Sequence, residues 1–367
     1  MPMQLRTRER ARPLAPRTRT LSLAQAFDPT SNALNAIRLA LAVIVVVSHS
    51  WPVTGRGDDP LLGAQDWGDW AVGGFFAISG YLITASRDTT PSFAIFVWKR
   101  FLRIYPAFLS ALIAVAFIAA PLSTILTDVS WNAADSLQYV WRNSFLLITQ
   151  PAIGSTLNDS PIPDSWNNPL WTLAYESACY LLIGILFTLL PSRFRLGAIA
   201  GAGLVCSVAT ALALGDVLSV PAVVLKGFHL GSFFAAGAFL YLGRRKIPMR
   251  RVLFVSSVSV LVLAVLLRID AVLAPLPLAF LLLWGGTKLP LRKVGAKNDI
   301  SYGMYIYAFP VQQLLHLALP SLSIPLLFAV MSAFLTLPLA WLSYRFIEKP
   351  SLRLKTLWTV QTRAVGG

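Results

Sequence analysis

The chain has 367 residues, 56% hydrophobic and only 13% charged, yet it carries a formal net charge of +15. Soluble domains are about 25% charged, so this composition argues against a soluble globular enzyme, and 21 Phe with 11 Trp exclude a disordered chain. The apolar residues come in runs rather than alternating with polar ones. That disfavours a β-barrel and points to an all-α, polytopic membrane bundle.

Residues 1–32 read as a flexible, basic cytoplasmic tail with Arg6, Arg8, Arg10, Arg12, Arg17 and Arg19. The apolar stretch behind it is long, carries His49 and is followed by no small-x-small cleavage site, so it reads as a retained anchor rather than a signal peptide. A membrane domain over 33–350 then holds ten apolar segments, near 34–53, 70–86, 104–122, 168–190, 196–214, 219–241, 252–268, 271–287, 299–318 and 322–344. Residues 351–367 form a cytoplasmic C-terminal tail.

Loop charges test this scheme. With the N-terminus in the cytoplasm, the inward segments hold 27 of the 31 Lys and Arg and five acids, a net +22. The outward side nets −6, and Glu176 is buried within a span. Each alternate loop obeys the positive-inside rule, which places both termini inside. The charge therefore reflects orientation in a bilayer, not a nucleic-acid partner. Cys179 and Cys206 lie inside apolar runs and read as small core residues, neither a disulfide nor a metal site. Three histidines are too few for a multi-His metal centre, and no metal is expected.

Two regions are irregular. The second span contains Gly73, Gly74 and Gly80, which permit close helix approach. In the outer loop 123–167, the helical spacing of Leu137, Val140, Trp141, Phe145 and Ile148 predicts an amphipathic interfacial helix.

Ionisable residues inside lipid are costly and mark function by default. Arg38 and His49 have ten residues between them in the first span. A helix puts them about 16 Å apart on one face. Arg38 alone reads as a snorkelling side chain, whereas His49, flanked by VVVS, reads as a candidate general base. Glu176 is the one carboxylate well inside a span, about 10 Å below the outer surface by helical rise. It lies at the depth of His49, so pairing with His49 and a structural hydrogen bond to another helix weigh equally. WKRFLRIYP sets Lys99, Arg100, Arg103 and Tyr105 at the inner interface, where topology alone explains some of the charge. Ser79, Tyr302 and Tyr305 read as packing residues, and His229 and His316 look less central.

Together these segments resemble the acyltransferase-3 family of integral-membrane acyltransferases, which includes bacterial polysaccharide O-acetyltransferases. The resemblance spans about 33–350 and rests on ordered parts: Arg38 with His49; FFAISGYL around Ser79; KRFLRIYP; WTLAYE ending at Glu176; SYGMYIYAFP; and RFIEKP with Glu348 and Pro350. It implies an acyl group, usually acetyl, taken from cytoplasmic acyl-CoA and given to a saccharide hydroxyl on an exported or lipid-linked glycan. It implies a bacterial inner-membrane location. His49 matches the family's essential His and Arg38 its paired Arg. Many members carry a His where this chain has Ala308, so any acceptor-handling role of that residue is absent or moved.

On this reading Arg38, Arg100, Arg103 and Tyr105 bind the donor, and its pantetheine arm runs along the first helix to His49. Glu176 orients His49, and polar groups near Ser79, Tyr302 or Tyr305 stabilise the oxyanion. The rival reading outside the family is a proton-coupled transporter or flippase for a lipid-linked glycan. Within the family, the alternative is a small-molecule or lipid acceptor.

Overall fold

The computed structural model describes residues 20–355. They form helices α1 (Leu23–Ala26), α2 (Leu34–Val53), α3 (Trp67–Asp88), α4 (Phe93–Ala114), α5 (Ala120–Leu126), α6 (Ala133–Asn143), α7 (Thr172–Leu189) and α8 (Ser192–Leu214). Next come α9 (Ala222–Gly243), α10 (Arg251–Leu266), α11 (Asp270–Leu273), α12 (Pro275–Lys288), α13 (Ser301–Ala318), α14 (Pro325–Ser343) and α15 (Lys349–Arg353). The described strands are β1 (Leu61–Leu62) and β2 (Gln65–Asp66), an antiparallel pair joined by a two-residue turn. The protein is an all-α membrane bundle.

Each of the ten apolar segments contains a long helix. Six helical runs are long and apolar enough to cross a membrane by length and composition alone. The other four are α3, α10, α12 and α13, and their deviations have local causes. Helix α10 has 16 residues and α12 has 14. Helix α3 begins with Asp69 in its first turn and ends with Arg87 in its last. Helix α13 carries Gln312, Gln313 and His316, yet 14 of its 18 residues are buried.

The amide nitrogens of both glutamines are satisfied within the protein. Gln312 Nε2 donates to Val46 O and Ser50 Oγ, both at 2.9 Å, and so ties α13 to α2. Gln313 Nε2 donates at 2.8 Å to the carbonyls of Ile162 and Ser165, and so ties α13 to the long loop. Helix α13 packs on α14 and α2, and α2 also packs on α3. On its other side α3 crosses α9 backbone to backbone. A Cβ at Gly80 would collide with the Phe234 carbonyl, and one at Gly237 with the Ala77 carbonyl.

Helix starts follow local chemistry. Asp66 caps α3 by accepting from the Asp69 N–H at 2.7 Å, and Ser92 caps α4 by accepting from the Ile95 N–H at 3.3 Å. Prolines 191 and 221 precede α8 and α9, and Pro275 and Pro325 open α12 and α14, where a missing N–H costs nothing.

Three expectations need correction. Part of the N-terminal tail is docked rather than free: Leu23 is fully buried, its N–H donates to Ile247 O at 2.8 Å, and Phe27 meets the Tyr81 ring at 5.1 Å. The six tail arginines lie outside the described residues. The third span starts earlier than expected. Helix α4, a π-helical turn over Val115–Ala119 and α5 make one run, so KRFLRIYP lies inside a helix. The helix expected in the outer loop is α6, which ends at Asn143, before Phe145 and Ile148. It has the expected polarity, with Leu137 and Trp141 exposed and Tyr139 buried.

Candidate active site

His49 sits near the end of α2, and Pro52 follows within the helix. Its Nδ1 lies 3.0 Å from Asp59 Oδ1, in the loop between α2 and α3. Ser48 donates to the same oxygen at 2.7 Å and accepts the Gly68 N–H at 3.0 Å. The ring packs edge-on against Phe309 at 5.4 Å. An Nδ1–H facing the carboxylate leaves Nε2 as the free lone pair, the arrangement of a general base with an orienting acid. Burial pushes the Asp59 carboxyl up, but its bonds with His49 and Ser48 outweigh this and hold it below the usual range. Burial pushes the neighbouring Asp66 up instead.

The loop is anchored from far away in sequence. Gly63, with φ +74°, lets the β1–β2 turn lie against Asp270, where an added Cβ would strike the carboxylate. Asp270 accepts the Ala64 N–H at 2.8 Å and Gln65 Nε2 at 2.9 Å.

Beside His49, α2 and α13 pack closely, with Ala42, Val46, Met304, Tyr305 and Ala308 among the residues at the seam. Ala42 and Ala308 permit this approach because their side chains are short. One turn beyond Ala42 lies Arg38, which donates to Asp299 Oδ2 at 2.6 Å. Arg103 donates to that oxygen at 2.7 Å and to Glu348 Oε2 at 3.3 Å. The two arginines outweigh burial and hold the Asp299 carboxyl well below the usual range. Arg38, Arg103, Asp299 and Glu348 sum to zero charge when all are ionised.

Glu176 does not meet His49. Its Oε1 accepts from Ser79 Oγ at 2.9 Å and from Tyr180 Oη. Helical rise fixes one coordinate only, and the two side chains face different neighbours. The orienting carboxylate of His49 is Asp59. Arg100 and Arg103 also part company. Arg103 turns to Asp299 and Glu348. Arg100 points into a separate cavity of about 150 Å³ with Tyr105, Ser177 and Tyr180. Its Nη2 reaches Ser86 at 3.5 Å, and its buried Nε has no partner. Tyr105 stacks on Phe101 at 4.7 Å.

The tyrosine hydroxyls are committed to backbone. Tyr302 donates to Ile104 O and Tyr305 to Pro169 O, each at 2.9 Å. Ser79 donates to Glu176. These bonds remove all three from the expected oxyanion donors as arranged here. Partly buried His229 and buried His316 each keep one buried ring nitrogen without a partner.

A family model described as an acyltransferase domain matches residues 31–345. The chain belongs to the acyltransferase-3 family. This acyltransferase is 30% identical to an O-acetyl transferase of Shigella phage Sf6 over 332 residues, 87% of this chain and 95% of that one. It is 27% identical to nodulation protein 10 of Rhizobium leguminosarum bv. viciae over 368 residues, 89% and 94% of the two chains. A Bacillus subtilis protein provisionally named for peptidoglycan O-acetyltransfer is 27% identical over 336 residues, 77% of this chain and 51% of that one. No solved structure gives a significant match. The acyltransferase acts on a hydroxyl, as an O-acyltransferase.

Sequence reading missed Asp59, Asp299, Glu348 and Lys355 as site residues. Asp59 had a usable signal, an acid-rich loop of Asp58, Asp59, Asp66 and Asp69 directly after His49. Lys355 follows α15, which packs on α4. Burial and the nearby Arg100, Arg103 and Lys99 push it down to about 8.

Proposed function

We propose that the protein transfers an acyl group, acetyl by family resemblance, from acyl-CoA at the Arg38 end to a saccharide hydroxyl arriving at the His49 end. The observation that carries this reading is the His49–Asp59 pair on the same helix that carries Arg38 at its other end. Base and cation lie about 16 Å apart along α2, the span a pantetheine arm needs.

In this mechanism His49 Nε2 takes the proton of the acceptor hydroxyl as its oxygen attacks the thioester carbonyl carbon. Asp59 stabilises the imidazolium that forms. The C–S bond breaks, and the departing thiolate receives the proton back from His49, leaving an O-acyl ester and free CoA. The net-zero quartet changes the assignment of the donor phosphates. Arg38 and Arg103 already hold Asp299 and Glu348, and a phosphate would have to displace carboxylates to reach them. The available positive charge at that end is on Lys99, Arg100 and Lys355, which would hold the phosphates, with Arg38, Arg103 and Asp299 as a rigid floor. Tyr105, which lines the same cavity as Arg100, flanks that position.

The same reading puts the acyl donor on the cytoplasmic side of a bacterial inner membrane and the glycan, exported or lipid-linked, on the other. Loop charge and the bacterial and phage relatives support it. Purified full-length protein incubated with radiolabelled acetyl-CoA and extracted surface glycan should label the glycan. No transfer to any glycan fraction would sink the proposal. Mass spectrometry of surface glycans from a strain lacking the protein would identify the acyl group and acceptor.

A further inference from the structure

A cavity of about 870 Å³ lies apart from His49, bounded by α8, α9, α10 and α12. Its walls are almost wholly apolar, with Leu204 and Leu212 from α8, Phe239 from α9, Val260 from α10 and Phe280 from α12. Its α8 wall runs from Ile199 to Leu212, about 20 Å at 1.5 Å per residue. That exceeds half of a hydrocarbon core about 30 Å thick. The volume falls in the range of about 300–1,000 Å³ typical of ligand sites.

Helix α10 creates the space. It packs against α12 and α11 rather than closing onto α8 and α9, and Ala264 is the one buried residue of its 16. The groove therefore crosses a membrane sector whose walls offer hydrocarbon and little else.

One end is different. Ile247 and Leu253 line the groove there, and the turn between α9 and α10 sets Arg245, Lys246, Arg250 and Arg251 around them. All four are exposed, and among the described residues none of these side chains makes an ion pair or hydrogen bond. The neighbouring cations are engaged: Arg244 with Tyr241 O and Asp88, and Arg195 with Leu190 O and Phe187 O. Orientation in the bilayer accounts for basic residues in this turn. It does not account for four unpaired ones at the mouth of a chain-length apolar groove.

We propose that this groove binds an anionic diacyl phospholipid, with its acyl chains along α8 and α10 and its headgroup phosphate among Arg245, Lys246, Arg250 and Arg251. A neutral lipid would fill the apolar part equally well. The cations select the charge, each changing affinity by about fivefold. Basic pockets between spanning helices are a recurrent way to recognise anionic headgroups.

The test uses full-length protein reconstituted in bilayers of phosphatidylglycerol and phosphatidylcholine, extracted in mild detergent and read by native mass spectrometry. One retained phosphatidylglycerol per protein, in preference to phosphatidylcholine, is expected. The surface double variant R250Q/R251Q should lower that retention about 25-fold without changing the melting temperature. Ser257→Trp, from the α10 wall, should block the groove itself. Equal retention of the two lipids overturns the proposal, as does retention indifferent to R250Q/R251Q. Recovery of a polyprenyl phosphate in place of phospholipid from cell-derived protein overturns it too.

Discussion

Helices α8 and α13 are both apolar segments of similar length, and they do opposite jobs. Helix α8 carries no charge beyond its first turn, and three of its 23 residues are buried. Helix α13 holds three tyrosines, two glutamines and a histidine, and buries 14 of 18. A hydropathy scan ranks α8 as a clear span and leaves α13 out. The more lipid-like helix clads the bundle, and the less lipid-like one packs beside His49. In a membrane enzyme, hydropathy finds the wrapping, and a shortfall in hydropathy marks the centre, where protein groups replace water as hydrogen-bond partners.

Substitutions sharpen that contrast. His49→Ala at the centre should lower acyl transfer by about 10³-fold, the usual scale of a general base, while insertion and yield stay normal. Retained turnover would remove His49 from the chemistry. Asp299→Ala should destabilise the bundle by about 3 kcal/mol, because two partly buried arginines lose their shared partner. Thermal melting in detergent reads this directly, and an unchanged melting temperature would show that the quartet is not structural.

Asp59→Asn should cost about 10²-fold in kcat by removing the charge behind the imidazolium. The pH profile separates this from misfolding. The Asp59 carboxyl lies below the usual range, so its contribution is present at neutral pH and is lost as pH falls through that lowered value. The wild-type acid limb should therefore contain a component that Asp59→Asn lacks. At Lys355 the sign is reversed. With a value near 8, the ammonium is charged below that pH and neutral above it. The KM for acyl-CoA should rise several-fold between pH 7 and 9, and Lys355→Arg should flatten the rise. A KM indifferent to pH in the wild type would exclude Lys355 from the donor site. The smallest effect belongs to the cladding. Val205→Ala on the exposed side of α8 should stay within about 0.5 kcal/mol and leave kcat unchanged. A large loss there would break the contrast between wrapping and centre.

The sequence exposed what was chemically out of place. Arg38 and His49 stood out because apolar residues surround them, and the order of segments carried the family. The partners stayed hidden because they sit in loops, where Asp59 and Asp299 look like ordinary orientation charges. Glu176 misled for the opposite reason. It is conspicuous in its span, and helical rise alone suggests the depth of His49. Its direction is set by Ser79 and Tyr180, contacts between helices that no single-helix periodicity encodes. Arg100 and Arg103 share a helix face, yet diverge because Asp299 and Glu348 capture only one of them.

The Arg38–Asp299 pair joins residues 261 positions apart. A ribosome working at about 5–20 residues per second needs roughly 13–50 s to reach Asp299 after making Arg38. Throughout that interval the Arg38 guanidinium lacks its Asp299 partner, and the Asp59 loop lacks its Asp270 fastening as well. The partners of both ends of the first helix are thus made late, after most of the cladding. A nascent chain stalled before residue 270 would have its base and its anchor in the membrane and no fixed geometry between them.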